Sequence, residues 1–122
     1  MRVSVLRPKL HRIRVTTTAP GYEGSLSVDE VLLERAGLLL NERVLVANLA
    51  NGERFETYLI PAPAGGGEIC VNGAAALLPS PGDCLIVMAS GQTSLEEARQ
   101  YQPTVVRVDE RNRPLGSSED RP

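Results

Sequence analysis

A small, mainly β barrel is the architecture this sequence predicts, and three observations lead there. Hydrophobic residues make up 42% of the 122-residue chain but aromatic ones only 3%, so the core must be built from Val, Leu, Ile and Ala, and such a core favours strands. Short apolar runs alternate with polar residues or stop at Gly and Pro, whereas helical periodicity is confined to two brief segments. A chain of this length makes one domain, and closing six or more short strands into a barrel removes the edges that would otherwise pair with other chains.

Val3 and Val5, then Ile13 and Val15, alternate with polar residues, which predicts strands at about Arg2 to Arg7 and Arg12 to Thr17, with Lys9 and His11 at their junction. Thr18-Ala19-Pro20-Gly21 breaks the alternation and predicts a loop. Ser27 with Glu30 three residues on reads as a capping box for a helix over about Val28 to Ala36, which Gly37 would end. Asn51-Gly52 between Val44–Asn48 and Phe55–Ile60 is the strongest hairpin signal, because both residue types tolerate positive φ. Pro61, Pro63 and Gly65-Gly66-Gly67 end that hairpin, and Ile69-Cys70-Val71 reads as a further strand. Pro81-Gly82-Asp83 turns the chain into another strand at Leu85 to Ala89. Ser94-x-x-Glu97 caps a second short helix that must stop before Pro103, and Val105 to Val108 is the last strand. The barrel domain is taken over 1–115, followed by a polar tail over 116–122 expected to be disordered.

Composition excludes several classes of function. The formal charge is −2 and the pI about 5.4, so no basic field is available for a phosphate backbone and no aromatic series for stacking bases; nucleic acid is not an expected partner. No apolar run approaches the roughly 20 residues that span a bilayer, and Met1 to Arg7 alternates where a signal peptide would be uniformly apolar, so a cytoplasmic, non-membrane protein is expected. Cys70 and Cys84 lack CxxC spacing and read as buried, reduced thiols. A single histidine, His11, makes a metal site unexpected. Gly65-Gly66-Gly67 lacks the context of a phosphate-binding loop, so nothing marks a pyridoxal phosphate site.

One dipeptide carries chemistry. Ser25 directly follows Gly24 in a glycine-rich turn, where its hydroxyl lies within one five-membered ring of the Gly24 carbonyl and no Cβ obstructs the approach. An N-to-O acyl shift followed by elimination would free Gly24 as a C-terminus, and loss of ammonia would leave a pyruvoyl group at residue 25. The chain would then be two, 1–24 and 25–122, and would carry its own ketone. Gly-Ser is also a common turn, so the dipeptide alone is weak.

Its surroundings are more specific. Lys9-Leu10-His11-Arg12, Tyr22-Glu23-Gly24-Ser25, Asn51 to Tyr58 and Asn72-Gly73-Ala74-Ala75-Ala76, in that order, resemble the pyruvoyl-dependent aspartate 1-decarboxylase family over nearly the whole chain. The resemblance implies a six-stranded double-psi β-barrel assembled as a homotetramer, with active sites between subunits. It implies decarboxylation of L-aspartate to β-alanine for pantothenate synthesis, with a pyruvoyl cofactor derived from Ser25 and neither metal nor pyridoxal phosphate. Tyr58 takes the place of the family's proton donor, and Lys9, Arg54, Thr57, Asn72, Gly73, Ala74 and Ala75 its substrate contacts, with His11 and Tyr22 in support.

The residue types suit those roles. Arg54 can fork onto a carboxylate, Tyr58 has a phenolic proton to give, and the small residues after Asn72 let a ligand reach backbone N–H groups. Strict alternation puts Thr57 on the opposite face from Tyr58, so a twist or a second subunit must bring it in. Pro20-Gly21 departs from the family's usual acidic and aliphatic pair, which bears on the speed of cleavage. Two other readings compete. One is a non-catalytic barrel used for assembly or binding; the other is a pyruvoyl enzyme for a cationic or bulky amino acid, for which Lys9 and Arg54 together would offer nothing.

Overall fold

The computed structural model describes residues 1–116 as a mainly β protein with two short α-helices. The tail expected over 116–122 lies, beyond Gly116, outside the described residues. The strands are β1 (Arg2–Arg14), β2 (Thr17–Ala19), β3 (Ser25–Asp29), β4 (Arg43–Asn48), β5 (Arg54–Ala62), β6 (Ile69–Asn72), β7 (Cys84–Ser94) and β8 (Thr104–Arg107). The helices are α1 (Glu30–Ala36) and α2 (Leu95–Ala98), and Gly73–Leu77 makes a 3₁₀ turn.

The hydrogen-bonded order is β2-β6-β3-β5-β4-β7-β1-β8, in keeping with the six or more strands expected, with the three-residue β2 and four-residue β8 at its ends. β1, next to last in this order, runs into β2 at its other end with only Val15 and Thr16 between them. Val15 N–H donates to the Asp83 carbonyl and Thr16 N–H to that of Ile69, at 2.9 and 2.8 Å. These bonds stitch the β7 side to the β6 side and close the sheet on itself, as a barrel requires.

Period-two alternation fills the interior. Leu10, Ile13, Leu26, Val28, Leu59, Ile69, Val71, Leu85 and Val87 are fully buried and belong to one cluster, with Leu32 of α1 plugged against it. Each such side chain contributes roughly 1.5–3 kcal/mol relative to exposure.

Four expectations need correction. The two N-terminal strands are one, β1, because irregularities between Leu6 and Lys9 and between His11 and Ile13 carry it past Pro8 and past Arg12, whose φ is +63°. Thr18 and Ala19, expected to open a loop, belong with Thr17 to a strand paired in parallel with β6. Ser27 is no helix cap: pairing with β5 on one side and β6 on the other draws it into β3, and Asp29 caps α1 by accepting from Val31 N–H at 2.9 Å. The Asn51-Gly52 hairpin forms as expected between β4 and β5, but only Gly52 adopts positive φ, so its turn is wider than the two-residue type. The cap of α2 at Ser94 and the glycine stop of α1 at Gly37 are as read from the sequence.

Candidate active site

The scissile dipeptide sits where a turn becomes a strand. Tyr22 N–H closes the turn on the Ala19 carbonyl at 3.2 Å, and pairing with β6 begins at Ser25, opposite Asn72. β3 lies between antiparallel β6 and parallel β5, with Ser27 opposite Cys70 and beside Ile60. Alternation then fixes which side chains meet. Leu26, Val28, Leu59 and Val71 point inward, so Ser25 and Ser27, Tyr58 and Ile60, and Cys70 and Asn72 share the outward face of three adjacent strands.

These six residues, with Tyr22, Glu23, Gly24, Asn41 and Glu68, line a cavity of about 630 Å³. Ser25 and Asn72 are buried at its wall, 8% and 5% exposed, whereas Tyr58 stands 54% exposed at its rim. The Asn72 Nδ2 group donates to Ser25 Oγ at 3.0 Å and to Ser27 Oγ at 2.9 Å, and its Oδ1 accepts from Cys70 Sγ at 3.2 Å. Ser25 Oγ in turn donates weakly to the Glu23 carbonyl, at 3.5 Å. The side chain that follows the scissile bond is thus fixed before any reaction, its lone pairs on Asn72.

Gly73 buttresses Gly24 from behind. A Cβ on Gly73 would lie 2.6 Å from Gly24 Cα and 2.7 Å from its nitrogen, and Gly73 has φ +77°. No other residue type fits both that approach and that backbone angle. The space around Gly24 itself is open, with nothing within 4 Å of an added Cβ.

Of the residues singled out in the sequence, Tyr22, Gly24, Ser25, Tyr58 and Asn72 come together at this cavity, and Gly73 backs it. The chain does not bring the others to it. Arg54 is exposed on the same face of β5 as Tyr58, but four residues, about 13 Å, along the strand. Thr57 faces inward and is buried. Lys9 lies across from Met88 of β7 and Val105 of β8, outside the cavity lining. Ala74 and Ala75 lie within the 3₁₀ turn that follows Asn72, outside the cavity lining. His11 lines a different cavity with Arg12, Arg14 and Arg107. Its Nδ1 is buried without a partner, and burial, then the charges of Lys9, Arg107 and Arg12, hold its pKa below 6.5.

Sequence reasoning missed Ser27, Asn41, Ile60, Glu68 and Cys70. Ser27 and Cys70 were legible as the period-two neighbours of Ser25 and Asn72, once β3 is recognised as a strand. Cys70 is buried and free, Cys84 partly exposed and free. Among the described residues no cluster of three or more His, Cys, Asp or Glu side chains is placed to hold a metal ion. Among them, too, no helix is long and apolar enough to cross a membrane.

The fold and site define a small β-barrel protein with a glycine-serine bond at the wall of an outward cavity, and comparison with known proteins gives the family. The aspartate decarboxylase family profile matches residues 1–115. The chain is 53% identical over 112 residues to the aspartate 1-decarboxylase of Salinibacter ruber, covering 92% of this chain and 77% of that one. It is 50% identical over 115 residues to the enzyme of the same name from Trichormus variabilis, with 94% and 91% covered. For that of Caldicellulosiruptor saccharolyticus the figures are 48% over 113 residues, 93% and 88%. The protein belongs to the aspartate decarboxylase family. Among solved structures, the rationally designed double-psi β-barrel mkDPBB_sym_86 matches 68% of this chain and 91% of its own at a TM-score of 0.50 and 21% identity, a likeness of fold.

Proposed function

We propose that this protein is an L-aspartate 1-decarboxylase that forms β-alanine and CO2 for pantothenate synthesis in the cytoplasm, using a pyruvoyl group made from its own Ser25. The single observation that carries this is the buried Ser25 hydroxyl, held by Asn72 next to a Gly24 pressed on Gly73, in a family whose relatives bear that enzyme's name.

In the maturation step the Ser25 Oγ bonds to the Gly24 carbonyl carbon as the C–N bond breaks, and the hydroxyl proton goes to the freed amine. Elimination then releases Gly24 with its carboxylate, and water takes the place of the nitrogen, which leaves as ammonia. The residues present fit a carbonyl at position 25: Asn72 offers N–H donors to an oxygen there, and the open cavity leaves room for an amino acid. The chemistry such a carbonyl supplies is an electron sink for the pair left when CO2 departs.

Tyr58, at the rim, then has the proton to return to carbon. Arg54 forks onto a substrate carboxylate, and Lys9 adds positive charge for the other. Neither lies at the cavity of its own chain, so a second copy supplies them, with Ala74 and Ala75 adjoining the contacts after Asn72; Thr57, buried on the inward face of β5, would have to act through its neighbours Tyr58 and Glu56. The outward face of β4 and β5 supports such an assembly, because Leu45 and Tyr58 stand exposed on it beside Ala47 and Arg54. The family resemblance makes that assembly a homotetramer with sites between subunits.

The test is chemical. Purified protein incubated with labelled L-aspartate should release β-alanine and CO2, and Ser25→Ala should release neither. A normal rate from Ser25→Ala would overturn the assignment.

A further inference from the structure

We infer that Cys70 is a positioning residue for self-cleavage, its thiol setting the orientation of the Asn72 carboxamide that holds the Ser25 hydroxyl. The inference rests on the cleavage reading above. It begins from register: Cys70 and Asn72 are two residues apart on β6, on the same face, opposite Ser27 and Ser25 of β3. One carboxamide therefore has three partners within reach, two hydroxyls and one thiol.

Which end of Asn72 faces which partner decides what Ser25 experiences. With Nδ2 toward the hydroxyls, both amide hydrogens are used, at 3.0 and 2.9 Å, and Oδ1 is left to the thiol at 3.2 Å. Reversed, Nδ2 would point at a sulfur, a weak acceptor, and Oδ1 would compete with the Glu23 carbonyl for the Ser25 hydrogen. The first arrangement gives both ends of the buried carboxamide a partner of the right kind, and it needs an S–H donor at residue 70 to serve Oδ1. The site keeps that donor protonated, since burial first and the Glu68 carboxylate second push the Cys70 thiol up from its ordinary value. The network is dry enough to matter: Cys70, Asn72, Ser25 and Ser27 are all under one-tenth exposed.

The role is one of aim. A Ser25 hydroxyl that accepts from Asn72 points its own hydrogen toward Glu23, so the two contacts set where Oγ stands and where its lone pairs point before the attack on the Gly24 carbonyl. Removing the thiol frees the carboxamide to turn over, and the serine with it.

Time courses of cleavage, followed by denaturing mass measurement on freshly made full-length chain, test this with three variants. Cys70→Val keeps the volume and suits a strand but has no donor; Cys70→Ala also lacks it; Cys70→Ser restores it. Both donor-less variants should cleave roughly two- to tenfold more slowly, the range for one neutral hydrogen bond, and Cys70→Ser should cleave at close to the wild-type rate. Cleavage of Cys70→Val at the wild-type rate would overturn the role, and so would a Cys70→Ser as slow as Cys70→Val, which would make residue 70 a packing position. A wild-type chain that never cleaves would instead sink the parent reading, so the two failures are distinct.

Discussion

Gly73 and Gly24 touch through bare backbone, 49 positions apart in sequence, with an added Cβ on Gly73 brought within 2.6 Å of Gly24 Cα. The contact holds the residue before the scissile bond against a rigid 3₁₀ turn. Gly73→Ala should therefore displace Gly24 and slow cleavage by an order of magnitude or more, while costing at least the ~1–2 kcal/mol of a side chain forced into left-handed backbone. Gly52→Ala, with the same sign of φ but open space, should lose stability only. Intact-mass time courses and thermal unfolding of the two variants separate the effects; equal cleavage rates would show that the contact does not position the bond.

Tyr58 lies on the cavity rim and takes no part in holding Ser25. Tyr58→Phe should cleave normally and then turn over about 10²- to 10⁴-fold more slowly, the range for losing a positioned acid. Steady-state kinetics should place the defect in kcat. A rise in KM with normal kcat would make Tyr58 a binding residue.

Under the proposed function Arg54 sets the choice of substrate, because an uncharged analogue would leave its guanidinium unpaired. Arg54→Ala should lose roughly ten- to a hundredfold or more in kcat/KM for aspartate, and Arg54→Lys should recover little of it, having charge without the planar fork. Arg54 stands about 13 Å along β5 from Tyr58, so the proposed function requires it to act on the cavity of a neighbouring copy. Co-assembled Arg54→Ala and Ser25→Ala chains should then exceed the activity of either alone, measured as β-alanine formed by the mixed oligomer. No recovery would place Arg54 and Ser25 in the same chain's site.

How much of this was legible in the sequence follows from which signals are local. The β4–β5 hairpin, the Ser94 cap and the Gly37 stop depend on residues within one turn of each other, and they stand where the sequence puts them. β2 and β3 were hidden, because a three-residue strand beside Pro20-Gly21 and a strand that opens on Gly24-Ser25 look like loop until their partners arrive from β6 and β5. The two halves of β1 looked separate because bulges at Pro8 and Arg12 interrupt the alternation without ending the pairing. The candidate site shows the same division. Ser25, Tyr58 and Asn72 were named from their motifs, but the contact that joins Ser25 to Asn72, and the part of Cys70 in it, exist only through antiparallel register across 47 residues.

His11 offers a clean probe of the cavity beside the bulge. As the only histidine it gives a single imidazole titration, and burial with Lys9, Arg107 and Arg12 nearby should put its midpoint below 6.5. A folded-state value below the unfolded one means that the unfolded chain binds the proton first. Stability should therefore rise as pH is raised from below the folded midpoint through 6.5, and His11→Gln should flatten that rise. Proton NMR and urea unfolding across this range check both; a midpoint at or above 6.5 would contradict the placement of His11 among those cations.

The claim on which all of this depends is that the chain cuts itself between Gly24 and Ser25, and mass measurement of the purified protein under denaturing conditions tests it most directly. Two species are expected: residues 1–24 ending in a free carboxylate, and residues 25–122 whose N-terminus resists Edman chemistry and reacts with a hydrazide as a carbonyl does. Ser25→Ala should give one. A wild-type protein that remains a single full-length chain with a serine at position 25, under conditions where aspartate is nonetheless decarboxylated, would contradict the account.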